Sequence, residues 1–255
     1  MFRILYSDTR RILHDKWVRL ALAGIVVYQL FYLVTLKFVI GWFFHEKMWA
    51  DEVGFCFSSI AIFVVTAGTL STTVTDYETG CLRNKLISGA KRKEVFLSAM
   101  IGGMMQGMLY SMTACVSSGL SSLLFTEGFQ TYTVQEFADQ WLLTTITCMA
   151  IGAFSTALVM LTGGKVVSYV IGLSVAFAMK VICMRVLDKL FPSQGTCKLT
   201  GLKLTVYRAV DRFVPYSYLS MRPHQAWTDY LVGIGGMIVI SVAVGLILFE
   251  RKELC

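Results

Sequence analysis

The long apolar stretches of this sequence contain no acid. All sixteen Asp and Glu residues fall between the hydrophobic runs or at their rims. Asp76, Glu78 and Glu94 share one polar stretch, while Asp51, Glu52, Asp139, Asp188 and Asp229 flank others. Carriers driven by protons or sodium keep an ionisable group near mid-membrane to bind the ion, so a self-powered carrier is disfavoured. Histidine is scarce. His14, His45 and His224 all lie outside the runs, and neither HExxH nor GxSxG occurs, which argues against an intramembrane hydrolase. The seven cysteines (56, 81, 115, 148, 183, 197 and 255) are odd in number and form no CxxC pair. That argues against a disulfide framework or a metal site and leaves small apolar filler as their role. No catalytic residue is assigned. No apolar stretch with a cleavage site occurs in the first 16 residues, so the first span itself is expected to direct membrane entry. No long repeat, low-complexity tract or linker divides residues 1–255, which read as a single domain.

What is present is hydrophobicity in long runs. Hydrophobic residues make up 56% of the chain, and its mean hydropathy is +0.65. A helix crossing the hydrocarbon layer needs roughly 20 mostly apolar residues, and backbone polar groups in lipid must be satisfied internally. The runs at 18–43, 53–74, 95–125, 141–162, 166–187 and 230–249 meet that length without the alternation of a barrel. The sequence predicts an all-α polytopic membrane protein with six transmembrane helices. Gly163, Gly164 and Lys165 form a tight break between the fourth and fifth.

Net charge is +7, and the basic residues flank spans. Anionic lipid and topology explain them without nucleic acid. Arg3, Arg10, Arg11, Lys16 and Arg19 precede or open the first span. Arg83, Lys85, Lys91, Arg92 and Lys93 lie in 75–94, and Lys165, Arg251 and Lys252 fall on the same side. On the other side 44–52 has only Lys47 and 126–140 has none, although 188–229 holds six, among them Lys198 and Arg222. That bias places both termini and the 75–94 loop in the cytoplasm.

Residues 1–17 read as an N-terminal amphipathic interfacial helix through Ile4, Leu5, Ile12 and Leu13, or as a solvated tail. The outer segment 188–229 is too long for a turn. Leu202, Val206, Ala209, Val210 and Phe213 share one helical face there, predicting a short extracellular helix on the membrane rim before Pro215 and Pro223 break the chain. Thr133 and Glu136 have capping-box spacing. Lys37 and Lys180 lie inside runs, where each can snorkel to the headgroups or line a substrate path. Met100, Met104, Met105, Met108 and Met112 stripe the third span, either lining a path for apolar ligands, with Met104 and Met108 as candidates, or filling a helix interface. Gly103 and Gly107 are spaced for close helix approach.

Eight of the twenty residues in 75–94 are charged. Thr75 and Glu78 have the spacing of a helix start, Leu82, Leu86 and Ile87 give a compact apolar face, and Ser88–Gly89 is a stop. Such a helix beneath the membrane suits a partner's groove, or the stretch merely fixes topology. Its sequence, DYETGCLRNKLISGAKRKEVFLS, resembles the cytoplasmic loop of ABC-2 type permeases, the membrane subunits of ABC transporters, in many bacteria and especially Firmicutes. Glu78, Gly80, Arg83, Asn84, Lys85, Gly89 and Arg92 match that pattern. The C-terminal LFERKELC is similar to endings common in the same group. Cys81 departs from a frequent threonine and Cys255 from a frequent lysine.

The resemblance implies a cytoplasmic coupling helix between spans two and three that docks on a separate ABC ATPase subunit. Glu78, Arg83, Asn84 and Lys85 would make the contact, Gly80 would allow close approach, and Leu82 and Leu86 would seat the helix. It implies pairing with a second permease copy or paralogue, membrane lipid as surroundings, and export of an amphipathic or hydrophobic substrate such as an antimicrobial or toxin-like peptide or a drug. The chain itself would not be an enzyme and would bind no cofactor, with ATP and Mg on the partner. TGGKVVS at 162–168 lacks the glycine spacing and the Ser/Thr of a phosphate-binding loop. The alternative is a non-transporting membrane scaffold or sensor that binds a cytoplasmic partner through 75–94.

Overall fold

A computed structural model describes residues 2–40, 42, 48–163, 166–192, 200–220 and 226–251. His45, Lys47, Gly164, Lys165, Cys197, Lys198, Arg222, Pro223, His224, Lys252 and Cys255 lie outside that set, as does the side chain of Arg3. Every helix and turn element described is helical. The six spans are α2 (Lys16–Val39), α4 (Cys56–Glu78), α6 (Arg92–Phe125), α7 (Val134–Thr162), α8 (Val166–Leu190) and α10 (Trp227–Arg251). α1 (Phe2–His14) precedes them, and between them lie α3 (Ala50–Val53), α5 (Cys81–Ile87), α9 (Leu202–Phe213) and a 3-10 turn, Pro215–Leu219. Among the described residues six helices are thus long and apolar enough to cross a membrane, at the positions the hydropathy predicts.

The spans divide into a core and a rim. α4 and α7 are mostly buried against other helices, whereas α2, α8 and α10 turn most of their surface outward. Small residues set this arrangement. A Cβ added at Gly103 would fall 2.7 Å from the Gly152 carbonyl oxygen, and one at Gly107 2.6 Å from the Cys148 carbonyl carbon. The backbones of α6 and α7 therefore touch, as the spacing of the two glycines predicts. With water absent, polar side chains hold further contacts. Gln106 donates to Thr72 at 2.8 Å, joining α6 to α4. Gln29 donates to the Ala114 carbonyl at 3.0 Å, joining α2 to α6. Ser111 and Thr145 lie 2.9 Å apart, joining α6 to α7.

Two predicted helix starts fare differently. Thr133 caps α7 as expected: its hydroxyl accepts from the Glu136 amide at 3.2 Å, and Glu136 accepts from the Thr133 amide at 2.8 Å. Thr75 starts no helix. α4 continues through it to Glu78, and the Thr75 hydroxyl donates to the Ser71 carbonyl of the same helix at 2.8 Å. Nothing breaks the chain before Gly80, whose φ of 68° lies in the left-handed region open to glycine. The loop helix is therefore α5 alone, seven residues long, ending at Ser88 with Gly89 at φ 93°. That stop is the expected one.

At the end opposite α5, α9 packs on α8 and α10. Its predicted apolar face points away from the bundle. Leu202, Val206 and Phe213 are exposed, while Asp211 is buried on the inward side. A face so turned suits lipid. The 3-10 turn that follows is buried at all five residues. Tyr216 and Leu219 join the core around Phe57, Ile62 and Trp141, and the Gln140 side chain donates to the Tyr218 carbonyl at 3.2 Å.

Candidate partner-docking site at the charged end

α5 is too short to be stable alone, since isolated helices below about 12 residues are marginal in water. Its neighbours hold it. Leu82 is buried with Val95, Phe96, Met100 and Phe249, and Leu86 packs against the same group. On the same inward side Lys85 donates to Asp8 of α1 at 2.5 Å. Asp8 is only 3% exposed, and its second oxygen accepts from Ser98 of α6 at 2.6 Å. One carboxylate thus ties together α1, α5 and the start of α6.

A second link lies beside it. Arg11 donates to Asp76, at the end of α4, at 2.5 Å and to the Cys81 sulfur at 3.0 Å. Asp8 lies 3.8 Å from the same guanidinium. Burial pulls the Arg11 pKa down, but its neighbours, the Asp76 carboxylate foremost, more than offset it and hold it above its ordinary value. Arg11 is therefore a fixed cation that joins helices rather than a group reaching for lipid headgroups, as the amphipathic pattern of α1 suggests. The other end of the chain joins this region as well. The Arg92 side chain donates to the Glu250 carbonyl at 3.2 Å, Lys93 pairs with Glu250 at 3.2 Å, and Phe96 meets Phe249 with ring centroids 5.6 Å apart. α1, α5 and the end of α10 all stand at one end of the bundle.

The inward contacts decide what α5 offers outward. Arg83 and Asn84 are exposed, and Ile87 is 73% exposed. Positions i, i+1 and i+4 share one helical face, so these three form a small basic and apolar knob. Glu78 is exposed on the last turn of α4 beside it. A cleft of about 740 Å³ opens next to the knob between α1, α4 and α5, lined by Arg11, Asp15, Thr79, Asn84 and Ser88 among others. Of the residues assigned to contact from the sequence, Arg83, Asn84 and Glu78 point outward. Lys85 does not, because it neutralises Asp8. Asp8 itself was not singled out: on a basic amphipathic helix it reads as a solvated charge, and its partner lies 77 residues away.

No protein-family model matches the chain, and no curated protein matches it. The resemblance to ABC-2 permeases therefore stands on the loop and tail residues.

The candidate substrate-path residues form no single site. Met104 packs in the cluster that seats α5, and Met112 is 47% exposed at the rim. Met105 accepts from the Thr9 hydroxyl at 3.5 Å, and Met108 is half-buried. Lys180 is half-buried on α8, a helix that packs on α4 and α7 and so stands apart from the α6 methionines. Lys37 lies 5.2 Å from the Phe125 ring centroid at the edge of the bundle, as a snorkelling cation does. Among the described residues no three His, Cys, Asp or Glu side chains gather to hold a metal ion.

Proposed function

We propose that this chain is the membrane-spanning subunit of an ATP-driven exporter of the ABC-2 type. α5 acts as the coupling helix that a separate ATPase subunit grips, and ATP with Mg is bound on that partner. Both termini and the α5 loop then face the cytoplasm of a bacterial cell, and the permease works with a second copy or a paralogue. The cargo is an amphipathic or hydrophobic molecule, such as an antimicrobial or toxin-like peptide or a drug. The chemistry behind that choice is the long apolar runs, none of which carries an Asp or Glu.

The observation that carries this reading is the division of α5 into two faces. Leu82, Leu86 and Lys85 are committed to the protein's own helices, while Arg83, Asn84 and Ile87 are presented together to solvent. A loop that only fixed topology would need positive charge but no seated helix with an outward apolar side chain. Docked there, a partner's movement would pass through Asp8, Leu82 and Leu86 into α1 and α6 as one body.

Co-expression with the partner ATPase, followed by co-purification and ATP turnover in nanodiscs, tests it. The wild-type chain is expected to form a complex whose turnover responds to it. Arg83→Glu combined with Ile87→Asp is expected to dissociate that complex while leaving insertion and thermal stability unchanged. Absence of a complex with the wild type, or unchanged coupling in the double variant, overturns the reading. A complex whose turnover ignores the membrane subunit assigns the chain instead to a scaffold or sensor.

A further inference from the structure

A groove of about 500 Å³ lies at the other end of the bundle, against α10. That volume falls within the range of small-molecule sites. Val232, Gly236 and Ile240 form its α10 wall, Phe154 of α7 and Met179 of α8 lie behind, and Phe213 stands at its mouth. Of its lining groups, the Ser241 hydroxyl already donates to the Met237 carbonyl at 2.7 Å, and apart from Tyr216 the other lining side chains are apolar.

Three features indicate what fills it. First, Val232 is 58% and Ile240 63% exposed, so the groove opens sideways, where a six-span protein meets hydrocarbon rather than water. Second, from Val232 to Ser241 the groove follows α10 for about 14 Å at 1.5 Å per residue. That is about half of the roughly 30 Å hydrocarbon layer, the depth of one leaflet. Third, the mouth lies at the end of α9, which carries Lys203, Arg208 and Arg212. Arg208 and Arg212, four residues apart, share one side of that helix. Arg212 is paired with Asp229 at 2.5 Å, and Arg208 is exposed.

We propose that this groove holds one acyl chain of an anionic phospholipid from the leaflet at the α9 end, with the lipid phosphate beside Arg208. Gly236 lines the groove, and a Cβ there meets nothing within 4 Å, so a bulky side chain at this position would extend into the open space along it. The proposal does not depend on the export role.

Gly235 provides a matched control. A Cβ there also meets nothing within 4 Å, but Gly235 does not line the groove. The experiment is electron spin resonance of chain-labelled phosphatidylglycerol in phosphatidylcholine nanodiscs holding one protein chain each. Gly236→Phe is expected to lose one motionally restricted lipid per chain relative to wild type, and Gly235→Phe to lose none. Arg208→Glu is expected to lower the preference for phosphatidylglycerol over labelled phosphatidylcholine several-fold. Thermal melts establish that each variant folds, and Ile240→Trp fills the groove independently should Gly236→Phe not fold. Equal restricted counts in the two phenylalanine variants overturn the site. An unchanged headgroup preference in Arg208→Glu overturns the phosphate assignment. Restriction seen only with two chains per disc gives the groove to a second copy and likewise overturns the proposal.

Discussion

The two ends of the bundle are held together by different physics. At the α5 end, charges join helices distant in sequence: Asp8 with Lys85, Arg11 with Asp76, and Lys93 with Glu250. At the α9 end one ion pair, Arg212 with Asp229, joins helices, and rings and apolar burial carry most of the remaining contact. Phe55, Phe137 and Trp141 cluster there, with Phe55 and Phe137 centroids 4.9 Å apart, and Tyr218 meets Tyr230 edge-on at the same spacing. Ion pairs are strong only while both partners stay in place. Ring packing is less directional and is lost only with volume. An end built from charges is suited to being gripped and re-sorted by a partner, and an end built from rings is suited to staying closed.

Breaking each end should reveal that contrast. The largest effect is expected from Asp8→Ala, which strands Lys85 and Ser98 and costs about 3–5 kcal/mol. Thermal unfolding in detergent measures it, and the swap Asp8→Lys with Lys85→Asp should recover part of the loss. Tyr218→Ala, which removes a fully buried ring from the opposite end, is expected to cost about 3–5 kcal/mol, at the lower side of that range. No single reversal elsewhere should rescue it, because no charge is involved. Gly107→Val tests the middle, where α6 and α7 touch. Overpacking there is expected to cost about 1–3 kcal/mol and to affect both ends alike. Thr133→Ala removes the α7 cap, a surface feature of the ring-built end, at a cost of about 1 kcal/mol. A loss well above that would show that the cap also fixes the neighbouring aromatic group.

The spans were legible because length and hydropathy leave little choice in lipid. The local signals were less secure, and two of them show why. Thr-Asp-Tyr-Glu at 75–78 and Thr-Val-Gln-Glu at 133–136 have the same capping spacing. Only the second caps, because a cap needs a chain that is not already helical. The first sits on a helix that had no reason to stop before Gly80. The sequence places Lys85 among the contacts and Ile87 on the apolar face with Leu82 and Leu86, whereas the fold turns Lys85 inward to Asp8 and leaves Ile87 exposed, since a short helix does not announce which of its cations has a buried counter-ion or which of its apolar side chains its neighbours cover. Asp8 and the buried turn 215–219 escaped for a related reason. Each is explained only by partners that the fold supplies, α5 and α6 for the first and α4, α7, α8 and α10 for the second.

α6 runs unbroken through 34 residues, about 51 Å at the standard rise. Near its first turns it receives Asp8 through Ser98, and toward its far end Ser118 donates to the Gly54 carbonyl at 2.8 Å. A crowbar of that kind has no elbow. A push on either end of so continuous a rod would be felt along its whole length, including where Gly103 and Gly107 lie against α7.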